Sequence, residues 1–132
     1  MTIKFNIVER GRPGHDEAPK KYYPSIQSTG RVSMRQLAER ASDMSTLSTP
    51  DMMAALEILL AIIPDELAHG NIVELGDFGN FWLRSSAEGI EDAEKVRGDQ
   101  ITTLIPRFNP GKRFKRVLYQ VRFEKMHKRT RK

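Results

Sequence analysis

Val73-Glu74-Leu75-Gly76-Asp77-Phe78-Gly79-Asn80-Phe81-Trp82-Leu83-Arg84 is the stretch on which the fold turns. Val73 and Leu75 alternate with Glu74, the pattern of a strand with one buried face. Gly76-Asp77 and Gly79 supply the turn, because glycine and aspartate tolerate the backbone angles a reversal needs. Phe78, Phe81 and Leu83 mark the apolar positions of the return. Residues 71–84 are therefore expected to form a hairpin faced with aromatic side chains.

Downstream, residues 85–100 are polar and mostly acidic, with Glu88, Glu91, Asp92, Glu94 and Asp99 against Lys95 and Arg97. A short helix or folded loop is expected around residues 91–96. Residues 101–108 resume as a strand. Pro110 is expected to open a short helix that runs through Gly111 and Lys112 to about Leu118. Tyr119, Val121 and Phe123 then alternate with Gln120, Arg122 and Glu124, which predicts a last strand over 119–124.

Upstream lies the clearest boundary in the chain, Ser48-Thr49-Pro50-Asp51. It offers a hydroxyl cap, a proline near the first helical position and an acid in the first turn. The helix it opens carries Met52, Met53, Leu56, Leu59, Leu60, Ile63 and Leu67, and Gly70 closes it. Pro64 inside the pattern is expected to kink it. This helix is apolar around most of its circumference, more than one short neighbour covers, which argues for a partner subunit. Met52 and Met53 read as packing residues in preference to a ligand groove. Ser33 caps a shorter helix that runs to about Asp43, with Leu37, Ala38 and Ala41 at helical spacing.

At the N-terminus, Ile3, Phe5 and Ile7 alternate with Lys4, Asn6 and Val8 as a strand. Residues 11–19 form a loop, and 22–27 a second strand that Pro24 confines to a sheet edge. With residues 119–124 these segments are expected to form a small added sheet.

Charge is segregated along the chain. Residues 105–132 hold eleven Lys/Arg and one acid, a net of +10, whereas the whole chain carries +5. A concentrated positive segment on an acidic body is the electrostatic pattern of a polyanion binder. Phe108 and Phe114 interleave the cations of 107–116, which marks a folded element; the last six residues, His127 to Lys132, read as a solvated, disordered tail. With no cysteine, disulfides and thiolate chemistry are excluded. The N-terminal segment lacks the apolar core of a signal peptide, and the longest apolar run, 58–63, is far short of a membrane span. The expected location is cytoplasmic.

Two motifs and the helix between the caps resemble the bacterial histone-like HU/IHF family of dimeric DNA-bending proteins. Leu37 and Leu47 stand at the family's spacing, and residues 48–70 match its second helix without a gap. Val73 to Phe81 looks like its strand–Gly-Phe-Gly-x-Phe–strand signature. Pro106-Arg107-Phe108-Asn109-Pro110-Gly111-Lys112 looks like its Pro-x-Phe-x-x-Gly-Lys signature. The resemblance covers 33 to about 118. It implies an α+β fold: an intertwined homodimer with two N-terminal helices, a three-stranded antiparallel β region and a short basic C-terminal helix. In that family β-arms reach around the DNA minor groove and a proline at each tip wedges between base pairs. Here the corresponding segment, 85–100, is acidic and has no proline, so the wedge is absent. An extended HU-like subfamily with added termini is the nearest description. The resulting division is a β extension over 1–31, an HU-like DNA-binding domain over 32–118, and a strand with a basic tail over 119–132.

The expected function is sequence-tolerant binding of double-stranded DNA in the nucleoid, by phosphate contacts that position the protein without reading bases. Arg84, Arg107, Lys112, Arg113, Lys115 and Arg116 are the candidate DNA-binding residues. Trp82 is expected to pack against an added terminal strand more readily than to stack on a base. His15, His69 and His127 are scattered and the paired acids (16–17, 65–66, 91–92) suit a solvated surface. No catalytic residue, metal site, cofactor, membrane partner or small-molecule substrate is expected. The alternative is an HU-like dimer used as a structural or protein-interaction module, which the acidic 85–100 segment favours; RNA binding is a weaker third.

Overall fold

A computed structural model describes residues 1–11, 13, 14 and 17–127. Arg12, His15, Asp16 and residues 128–132 lie outside the described residues, and with them most of the expected basic tail and parts of the 11–19 loop. The fold is α+β, with three α-helices and two three-stranded sheets among the described residues. The chain forms two compact units. Residues 33–116 make one, and they are inserted between the segments, 1–32 and 117–132, that make the other.

The inserted unit begins with two capped helices. In α1 (Met34–Asp43) the Ser33 hydroxyl accepts from the Gln36 amide at 3.2 Å, and the Gln36 side-chain oxygen accepts from the Ser33 amide at 2.8 Å. In α2 (Thr49–Ala68) Ser48 and Asp51 repeat the exchange at 3.2 and 3.3 Å. Each box satisfies two amides that the helix leaves without partners. At the far end of α2 the Asn71 amide donates to the Glu66 carbonyl at 3.1 Å and the Gly70 amide to Leu67 at 2.9 Å. That pairing closes the last turn as a Schellman motif. Pro64 is accommodated within α2.

The two helices pack on one another, and Ala38 of α1 and Leu67 of α2 are the only buried apolar side chains among the described residues. Ile58, Leu59, Leu60 and Ile62 of α2 remain 46–61% exposed. A helix apolar on all sides is normally buried. One chain alone does not bury this one.

The sheet of this unit has the order β3 (Val73–Glu74), β4 (Gly79–Ala87), β5 (Ile101–Pro110), all antiparallel. The expected hairpin is present and longer than its sequence pattern, because β4 continues through Ala87. The β4–β5 ribbon is registered from Gly79↔Pro110 to Ala87↔Ile101, with an irregularity between Ser86 and Ala87. Two short 3-10 turns, at Ala93–Lys95 and Gly98–Gln100, fold the acidic tip, the first of them within the short helix or folded loop expected over 91–96. Pro110 ends β5 instead of opening a helix, because Gly79 opposite it leaves room for the ladder to run one pair further.

The remaining unit is a small sheet of order β2 (Lys21–Ile26), β1 (Thr2–Arg10), β6 (Arg122–Lys125). β1 and β2 are antiparallel, and Pro24 sits on the edge strand where its missing N–H costs no ladder bond. β6 runs parallel to β1, anchored by the Arg122 amide on the Met1 carbonyl at 3.0 Å and the Met126 amide on Phe5 at 2.9 Å. These anchors place the last strand later than expected. Tyr119 and Gln120 lie in turns, with the Gln120 and Val121 amides on Val117 and Leu118.

Candidate nucleic-acid interface

The basic residues are set by an aromatic cluster. On β4 and β5 the cross-strand pairs fix which side chains share a face. Phe81 is opposite Phe108 and Leu83 opposite Pro106 on one face; Asn80 is opposite Asn109, Trp82 opposite Arg107 and Arg84 opposite Ile105 on the other. On the first face Phe81 and Phe108 lie 4.9 Å apart between ring centroids, and Phe78 joins them 5.5 Å from Phe108. Phe114, from α3 (Lys112–Leu118), completes the cluster at 4.6 Å from Phe78 and 5.4 Å from Phe108, both near edge-to-face.

Two glycines let these parts close up. The Gly111 amide donates to the Phe78 carbonyl at 3.0 Å, and a β-carbon on Gly111 would collide with the Asp77 carbonyl. Gly79, at a φ of +140°, faces the Asn109 carbonyl and the Phe108 ring with no room for a side chain. α3 therefore leaves the end of β5 with its direction fixed at both the backbone and Phe114.

A helix turns about 100° per residue, so Phe114 facing the cluster puts Lys112 and Arg116 on the opposite side, with Arg113 and Lys115 on the flanks. All four are exposed. Arg84 and Arg107 are also exposed, but they lie on the ribbon face of Trp82, about 7 Å apart across the diagonal. The six candidate residues thus form two groups: a helical cluster of four and a ribbon pair. Among the described residues none of the six forms an ion pair. The sequence reading missed Asn80 and Asn109, whose amides share the face of Arg107. The signal was present in the two-residue steps Asn80-Trp82-Arg84 and Arg107-Asn109.

The acids occupy the other end of the ribbon. Eight residue steps separate the Gly79↔Pro110 pair from Ala87↔Ile101, a length of about 26 Å at roughly 3.3 Å per residue. That is some three Debye lengths at about 0.15 M salt, so the tip carboxylates are screened from α3. Asp92 pairs with Lys95 at 3.9 Å and caps the Glu94 amide at 3.1 Å, uses that keep the tip folded. Among the described residues there is no group of three or more metal-type ligands, and no helix is long and apolar enough to cross a membrane.

Residues 1–125 match the family described as an HU domain fused to a wHTH, Ig or glycine-rich motif, HU-HIG. The DNA-binding protein HU of Thermus thermophilus is 30% identical over 86 residues, 64% of this chain and 89% of that protein. Among solved structures, one described as a candidate bacterial DNA-binding protein from Bacteroides vulgatus ATCC 8482 superposes with a TM-score of 0.67 at 12% identity. The match covers 99% of this chain, which spans half the length of that structure.

Proposed function

The chain belongs to the HU-HIG family, and from that membership we propose that it binds double-stranded DNA as a homodimeric, histone-like protein of the nucleoid. Residues 32–118 are the DNA-binding domain in this reading, with 1–31 and 119–132 added to it. The observation that carries it is the seating of α3. Phe114 in the four-ring cluster turns Lys112 and Arg116 outward and leaves Arg113 and Lys115 on the flanks, without a carboxylate partner among the described residues. Four fixed cations on an exposed helix, with Arg84 and Arg107 on the ribbon, suit a line of phosphates. The exposed apolar side chains of α2 supply the reason for a dimer, since a second copy covers them and doubles the basic surface. The acidic, proline-free tip makes contacts at the root of the ribbon the basis of binding, not a wedge at its end.

Fluorescence anisotropy of a labelled random-sequence duplex, titrated across salt, tests this. If about six phosphates are neutralised per dimer, affinity falls by about three decades between 50 and 200 mM salt. The double variant Lys112→Ala with Arg113→Ala flattens the slope, weakens binding alike on all sequences and leaves dimerisation intact. Absence of binding at low salt would reject the reading. It would favour the interaction-module alternative, for which the acidic tip is the supporting feature.

A further inference from the structure

The β1–β2 sheet has two unlike faces. Ile3, Phe5, Ile7, Glu9, Tyr22, Pro24 and Ile26 share one, mostly apolar; Lys4, Asn6, Val8, Arg10, Lys21, Tyr23 and Ser25 share the other. On this polar face the last pair of the ladder is Arg10↔Lys21, two cations directly opposite one another. Opposed like charges destabilise an antiparallel pair. Among the described residues neither cation has an ion-pair partner. Tyr23 follows on the same face, opposite Val8 and diagonal to Arg10, with 44% of its surface exposed.

These three side chains line one cleft of about 810 Å3, whose other walls include Pro13 and Pro19. That size accommodates a group as large as a nucleotide. A guanidinium fork and an ammonium lining one cleft suit a phosphate, which takes two parallel N–H bonds from arginine and a point charge from lysine. An aromatic face beside such a pair is the usual platform for a base. We infer that this cleft is a nucleotide-binding site, in which Arg10 and Lys21 hold a phosphate and Tyr23 stacks the attached base. The anion relieves the repulsion between the two cations. The site belongs to the other compact unit from residues 112–116 and does not rest on duplex binding there.

The phosphate has two sources, a free mononucleotide or a single strand of nucleic acid. Amide chemical shifts of the full 15N-labelled chain, titrated with AMP, with an oligo-dT twelve-mer and with inorganic phosphate, separate them. Shifts centred on residues 10, 21 and 23 are expected, with affinity reduced at least about tenfold in Arg10→Gln with Lys21→Gln. Tyr23→Ala weakens AMP and the oligonucleotide but not inorganic phosphate. Response to AMP alone assigns a free nucleotide, and response to the twelve-mer assigns a strand. The thermal midpoint of ligand-free Lys21→Gln rises above that of the wild type, which shows that the variant folds and that the pair is repulsive. The inference is overturned if neither nucleotide ligand shifts these amides, or if the double variant binds like the wild type. Lys112→Ala with Arg113→Ala leaves AMP binding unchanged, so failure at one site is distinct from failure at the other.

Discussion

Phe114 meets Phe78 edge-on, with ring centroids 4.6 Å apart and planes inclined by 70°. This contact joins the turn before β4 to the helix that carries the basic cluster, so packing and charge placement depend on the same ring. Phe114→Ala is expected to cost about 2–3 kcal/mol, below the usual range for a fully buried ring because Phe114 is half-buried. Urea denaturation measures that loss. Phe114→Leu, which keeps most of the volume, is expected to lose less than half as much and to retain DNA affinity at low salt. If Phe114→Ala left both stability and affinity intact, α3 would be held by something other than the cluster.

Gly79 is required by space as well as by its backbone angle. A methyl group there meets the Asn109 carbonyl and the edge of Phe108, neither of which moves without breaking the start of the β4–β5 ladder. Gly79→Ala is expected to destabilise by more than about 2 kcal/mol, from backbone strain and lost pairing together. Gly89, with nothing within 4 Å of an added β-carbon, is the control. A thermal melt in which the two alanine variants coincide would contradict this account.

The parts of the fold legible in the sequence were those specified by neighbours in the chain. Ser33 with Gln36, and Ser48 with Asp51, each bond within one helical turn, so the starts of α1 and α2 could be read directly. Position was misread where the partner is distant. Pro110 pairs with Gly79 and Arg122 bonds Met1, and no local pattern announces either. The same distinction applies to the candidate interface. The cations of 107–116 are visible as a charge run, but their division into two groups follows from the Trp82↔Arg107 register. Arg10 and Lys21 became neighbours only once β1 and β2 were paired.

Ile58 and Ile62 are one helical turn apart on α2 and are 57% and 49% exposed. A charge at this position leaves a single chain almost unaffected but is expensive in a buried interface. If α2 is the contact of the proposed dimer, Ile62→Glu is expected to convert that dimer to monomer in sedimentation equilibrium. The wild type should show a thermal midpoint that rises with protein concentration, as mass action requires of a dimer. A concentration-independent midpoint together with a dimeric Ile62→Glu would place the subunit contact elsewhere.

The acidic tip provides a test of which end of the ribbon meets DNA. Glu91, Asp92 and Glu94 lie beyond the Ala87↔Ile101 pair, about 26 Å along the ribbon from the root where α3 begins. If the root binds and the tip stays in solvent, the triple change Glu91→Gln, Asp92→Asn and Glu94→Gln alters duplex affinity by less than about twofold at 0.15 M salt, because screening removes most of the interaction over that distance. If the tip enters the minor groove, three carboxylates oppose phosphates at close range, and neutralising them raises affinity by tenfold or more, since each close charge contact contributes on the order of 1 kcal/mol. The absence of a proline from residues 85–100 and the use of Asp92 as a cap within the tip both favour the first result. Anisotropy of the triple variant against the wild type at two salt concentrations decides it, because a tip in the groove also changes the salt slope, whereas a solvated tip leaves the slope as it was.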